Sequence, residues 1–187
     1  MKTFKLTNKL FLSLFAVALI SCSDDDTPAP VNEEEVITTV RTTLVGGGQT
    51  ITLLSRDLDG DGPNSPVVTV SGNLTAGTTY TGSVEFFNET VNPADNITTE
   101  VEEEGVDHQI FYQAPASIGT FTYTDTDANG KPIGLDFTLV TASAATGNLT
   151  VTLRHLPNKS ASGVSTGNIA NAGGATDAQV TYPLVVN

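Results

Sequence analysis

The feature that most narrows the fold is a repeated run of short segments in which apolar residues alternate with threonine, each closed by a glycine-rich or Asp/Gly turn. Phe121-Thr-Tyr123, Phe137-Thr-Leu139 and Leu149-Thr-Val-Thr-Leu153 carry the alternation most plainly. A period of two puts the apolar set on one face of a strand and threonine on the other. Segments of this kind run approximately from Val36 to Val45, Gln49 to Arg56, Pro66 to Ser71 and Thr79 to Asn88. A second group covers Asp107 to Gln113, Gly119 to Asp125, Ile133 to Thr141, Asn148 to His155 and Ala178 to Val186. Their connections are short and mostly lack helical crossovers, which favours antiparallel pairing over a parallel α/β sheet. The expected fold is all-β: an immunoglobulin or fibronectin-like antiparallel sandwich of about eight or nine strands.

Composition agrees, because 29 Thr and 17 Gly leave a chain better suited to sheets and tight turns than to long helices. One interval departs from the pattern. In Asn92 to Gly105, Asn92 suits a helix cap, Pro93 and Asp95 the first turn, and Ile97 and Val101 share a face. One short helix is expected there, with Gly105 as a left-handed stop. Leu74-Thr-Ala-Gly-Thr-Thr-Tyr80 resembles the turn into a late strand of immunoglobulin-like domains, where a tyrosine fastens the corner.

The N-terminus has Lys2, Lys5 and Lys9 before the apolar run Leu10 to Ile20, then Ser21-Cys22. That pattern predicts a signal peptide over residues 1–21, too short for a comfortable membrane span. Leu19-Ile20-Ser21-Cys22 resembles the bacterial lipobox, which implies that the only cysteine is acylated and becomes the mature N-terminus. Ser23-Asp24-Asp25-Asp26 resembles the acidic signal that sends Bacteroidota lipoproteins to the cell surface. Residues 22–35, with proline and acidic runs, are expected to be a flexible tether and residues 36–187 a single domain. From Cys22 onward five cations face all 21 acids, a formal charge of minus 16. So acidic a body excludes a nucleic-acid-binding role.

Four further segments carry a broader resemblance: Thr79 to Phe86, Asp107 to Gln109, Leu153 to Pro157 and Gly173-Gly174. Together with the acidic tether they resemble a group of small Bacteroidota surface lipoproteins that often accompany TonB-dependent outer-membrane transporters. The resemblance implies an outer-membrane location through the lipid on Cys22, an outward-facing domain and a transporter as partner.

Three sets of residues are candidates for cation chemistry. Asp57-Leu-Asp59-Gly-Asp61-Gly62 opens like a calcium loop but has Val68 at the twelfth position, and a polar hairpin uses the same residues. Asp125, Asp127 and Asn129, with Asp136 at the twelfth position, have the spacing of a hand loop, although Asn129-Gly130 is also a hairpin turn. Any calcium affinity is expected to be weak. The third set is His108 and His155 with Glu102, Glu103, Glu104 and Asp107, where imidazole and carboxylate suit zinc. His108 with Asp107 and one of Glu102 to Glu104 is the expected core, joined by His155 if its strand end lies nearby. The alternative is two edge-of-core histidines satisfied by hydrogen bonds.

Catalysis has little support. No serine has a nucleophile-elbow setting, the lone cysteine sits at the leader boundary, and acid pairs such as Glu85 with Glu89 have no sequence feature that sets the carboxyl separation glycosidic cleavage needs. Arg154 is expected to pair with an acid across the sheet. The expected function is a non-enzymatic binding or accessory module that captures a metal or cofactor for an outer-membrane transporter. The alternative is a structural or adhesion sandwich that recognises protein or glycan.

Overall fold

The computed structural model describes residues 35–60 and 62–187, so Cys22, the segment Ser23 to Asp26, and Asp61 lie outside the described residues. The alternating segments form nine strands: β1 (Thr39–Gly46), β2 (Gln49–Arg56), β3 (Val67–Val70), β4 (Thr79–Phe87), β5 (His108–Gln113), β6 (Gly119–Tyr123), β7 (Asp136–Thr141), β8 (Ala145–His155) and β9 (Ala175–Val186). They pair as a six-stranded sheet, β3-β2-β1-β4-β7-β6, and a three-stranded sheet, β5-β8-β9. Every ladder is antiparallel. Without the β2–β3 hairpin, the orders β1-β4-β7-β6 and β5-β8-β9 are the ABED and CFG orders of an immunoglobulin constant-type sandwich. The added hairpin widens the first sheet beyond its A strand.

Alternation explains why the two sheets close on each other. Leu44, Ile51, Leu53, Val84, Phe86, Phe137 and Leu139 of the larger sheet share one buried cluster with Ile110, Leu149, Val151, Leu153 and Leu184 of the smaller. Each such side chain removed from water stabilises the fold by about 1.5–3 kcal/mol. On the outer face of β8, Thr150 meets Thr181 of β9 with hydroxyls 2.9 Å apart. Tyr182 spans the sandwich, its hydroxyl donating to the Val40 carbonyl at 2.9 Å. Gly82 lies opposite Phe137 in the β4–β7 ladder, and the phenyl ring occupies the space a Cβ would need.

Tyr80 fastens its corner as expected, its hydroxyl accepting from the Thr75 N–H at 2.9 Å. The strand it enters, however, is β4, the B position, and not a late one. The helix α1 (Ile97–Glu103) is present, with Ile97 and Val101 buried. Its cap is Asn96, which accepts from the Thr98 N–H at 3.2 Å, and not Asn92. The earlier position is unsuitable because Asn88 and Asp95 exchange backbone hydrogen bonds of 3.0 and 2.9 Å, holding the preceding turn out of the helix. Gly105 is not left-handed, since Glu104 at φ −95° already closes the helix. The Thr98 hydroxyl docks α1 on β4 by accepting from the Phe86 N–H at 2.9 Å.

Between β8 and β9 the chain makes two 3-10 turns, Val164–Thr166 and Ile169–Asn171. This excursion lays Val164 and Ala172 on Phe111. The buried Gln109 side chain pins it by donating to the Val164 carbonyl at 2.8 Å.

Candidate metal centre

The first residue of β5 and the last of β8 are both histidine, and the register sets His108 directly opposite His155. Their ring centroids are 4.7 Å apart. On the other side of β8 the β9 ladder slips: Leu153 faces Ala178 but Arg154 faces Thr176, leaving Asp177 as the extra residue. Such a bulge re-aims a side chain. Here Asp177 Oδ2 lies 3.9 Å from His108 Nε2, with the side chain only 4% exposed. Gly174 lets β9 begin close to the end of β8, because a Cβ there would run into the His155 carbonyl.

The fourth component comes from the chain before β1. Glu35, expected at the end of the tether, packs against the body with its Oε1 3.6 Å from His108 Nε2 and its side chain 11% exposed. Ligand-capable atoms of His108, His155 and Asp177 all lie within 4.8 Å of one another, as do those of Glu35, Glu104 and His108.

His108 Nδ1 lies 3.2 Å from the Glu104 carbonyl. A carbonyl only accepts, so Nδ1 carries the proton and Nε2 presents its lone pair. Burial is the main cause holding the imidazole pKa below its ordinary value, which keeps the ring neutral in neutral water. The Nε2 atom is buried without a hydrogen-bond partner. A lone pair thus faces the carboxylates of Glu35 and Asp177 from a fully buried imidazole. Burial first, then the charges of Asp177, Glu100 and Glu104, push the Glu35 carboxyl up to about 7. Like-signed groups held this closely favour a proton or a metal cation among them. The backbone bond to Nδ1 is the kind of support that orients metal-binding imidazoles.

Of the expected set, His108, His155 and Glu104 come together. Asp107 does not join them; its backbone is engaged with Glu104 and Leu156. Glu102 and Glu103 are exposed and line a separate 310 Å³ cavity with Asp125, Asp127 and Asp136. Burial, then the charges of Asp125 and Glu102, raise the pKa of Asp136. Nothing in the sequence separates Glu35 from Glu33 and Glu34. Asp177 did carry a signal, being the only charged residue after Lys159.

Asp59, Asp125 and Asp127 of the calcium candidates have other partners. Asp125 accepts from the N–H groups of Gly134, Leu135 and Asp136 at 2.7–3.2 Å. Asp127 Oδ1 accepts from Asn129 and Lys131 N–H at 2.8 and 2.9 Å, and Oδ2 from the buried Lys159 ammonium at 2.9 Å. Asn129 forms part of that turn. Asp59 closes its own turn on the Asn64 side chain at 2.7 Å, which holds its pKa below the ordinary value. Asp57 turns toward the cavity beside Glu35 and Asp177. Arg154 pairs with no acid among the described residues and donates to Gly173 O and Thr176 Oγ1. Glu85 and Glu89 are each held by an arginine, Arg41 and Arg56.

Among the described residues no helix is long and apolar enough to cross a membrane. No protein-family model matches the chain, and searches of the curated proteins and of the solved structures find no significant match.

Proposed function

We propose that this protein is a lipid-anchored, outward-facing binding module that captures a transition-metal ion, zinc being the best fit, as an accessory to an outer-membrane transporter. It acts by binding and not by turnover. The observation that carries the metal reading is the His108 Nε2 lone pair, buried without a partner and directed at Glu35 and Asp177. His108, His155 and Asp177 supply a two-imidazole, one-carboxylate donor set suited to zinc, and Glu35 stands beside it. Zinc would bring charge neutralisation to the cluster, while the Glu104 carbonyl fixes the imidazole tautomer.

Anchoring and partnership rest on the lipobox-like Leu19 to Cys22, the acidic Ser23 to Asp26 and the resemblance to transporter-associated lipoproteins. Three segments carrying that resemblance, around His108, His155 and Gly174, meet at the cluster. The acidic body raises the local concentration of cations but does not select among them; selection comes from imidazole. A calorimetric titration of metal-stripped protein with zinc tests the reading. One site is expected, weakened at least tenfold by His108→Ala and by His155→Ala. Equal binding by all three proteins would exclude the histidine site.

One observation favours the alternative, recognition of a glycan by an adhesion sandwich. A 240 Å³ cleft between the β5–β6 end and the 3-10 excursion is lined by Tyr112, Phe121, Tyr123 and Gly167. Phe121 and Tyr112 stack within 3° of parallel. Glycan binding abolished by Phe121→Ala, in a protein without zinc affinity, would favour that reading.

A further inference from the structure

One side of the cluster borders a cavity. Glu35 and Asp177 line this space of about 470 Å³, the size of a small-molecule site. Its walls include the start of β1, the end of β2 and the bulged part of β9, so the cluster is not sealed on this side. A structural zinc site is closed by protein ligands, whereas a site that exchanges ligands keeps a position open. Two compact sets of three residues share His108, one with Glu35 and Glu104 and the other with His155 and Asp177. Glu35 faces the latter set from a segment without strand structure, where displacement breaks no ladder.

Asp57 also lines this cavity, and its Oδ1 atom is buried without a hydrogen-bond partner. Its backbone is fixed by donation to the Thr38 carbonyl at 2.7 Å. Among the described residues no lysine or arginine lines the space, while Val40, Pro66 and Val180 give it apolar walls. Such a cavity disfavours an anion. It suits a compact ligand that offers one nitrogen lone pair to a metal and an N–H to a carboxylate.

Resting on the metal reading above, we infer that the captured metal keeps a coordination position open to this cavity, and that the position takes a small nitrogen-donor ligand of the imidazole or amine class, oriented by Asp57. The module therefore takes up a metal together with a small ligand. Asp57 is a positioning residue and does not bind the metal. Its substitution should weaken ligand binding while leaving metal binding intact.

Cobalt tests this, because its visible absorption reports coordination. Metal-stripped protein is loaded with cobalt and titrated with imidazole, with equilibrium dialysis confirming that cobalt stays bound. A saturable spectral change is expected in the wild type, with azide binding more weakly than imidazole. Asp57→Ala should lower imidazole affinity about tenfold, the loss of one hydrogen bond to a charged acceptor, with cobalt affinity changed less than twofold. A cobalt spectrum indifferent to imidazole would show a closed site and overturn the inference while leaving metal capture standing. Equal imidazole affinity in Asp57→Ala would overturn the role of Asp57. Absence of cobalt binding would remove the metal reading and this inference together.

Discussion

Replacing Lys159 with methionine keeps most of the aliphatic stem and removes the ammonium. In the native fold that ammonium donates to Asp127 Oδ2 at 2.9 Å, to the Pro132 carbonyl at 3.0 Å and to the Gly105 carbonyl. Its three donors thus meet three acceptors, and the side chain is 6% exposed against 1% for Asp127. The substitution leaves a buried carboxylate with only its two backbone donors, and two carbonyls without their ammonium partner. Breaking a buried pair from one side costs about 3–5 kcal/mol, a large part of the roughly 5–15 kcal/mol that holds a domain folded. For a body of this size the melting temperature should fall by roughly 6–20 °C. Burial alone would raise the Asp127 pKa, but the bond to Lys159 and the N–H groups of Lys131 and Asn129 bring it below the ordinary value. A carboxyl depressed in the folded state stabilises above its unfolded pKa and loses that stabilisation as pH falls through the folded one. Urea unfolding of wild type and Lys159→Met should therefore differ most near neutrality, the difference shrinking as pH falls through and below the ordinary aspartate range. A loss under about 1 kcal/mol, or a difference that does not shrink in acid, would refute the buried-pair account.

Gly82→Ala should destabilise by about 1–3 kcal/mol through overpacking against Phe137, with partial recovery in Gly82→Ala/Phe137→Leu, measured by chemical denaturation. Arg41→Ala should cost less than about 1 kcal/mol in the same assay, because the exposed 2.8 Å pair with Glu85 is screened by water. Calcium titration should show no submicromolar site, and Asp125→Ala should change thermal stability, not calcium affinity, because its oxygens serve the turn at Gly134 to Asp136. Lipid-precursor labelling should disappear in Cys22→Ala, and surface protease accessibility should fall when Asp24, Asp25 and Asp26 are replaced together; persistent labelling or unchanged accessibility would contradict the anchoring scheme.

Strand positions were legible because alternation survives within each strand: Leu149, Val151 and Leu153 share a face whatever their partners. Strand order was not, since an apolar face does not specify which sheet it covers. The helix was legible from Ile97 and Val101, but its cap was misplaced because Asn92-Pro93 carries the stronger local signal. The Asn88–Asp95 pairing that overrides it is tertiary. The two histidines could be found as residues, and their opposition required the β5–β8 register. Glu35 looks like any member of an acidic run, and only packing against His108 distinguishes it. The Asp/Gly turns resembled cation loops because oxygens that can ligate calcium can equally accept from the N–H groups of their own turn.

Crystals grown with zinc and measured on both sides of its absorption edge would locate the bound metal. One anomalous peak is expected about 2.0–2.1 Å from His108 Nε2, bonded also to His155 and Asp177 and bordering the cavity beside Asp57. An absent peak, or one confined to the turns at Asp57 to Gly62 and Asp125 to Asp136, would contradict metal capture at the histidine cluster.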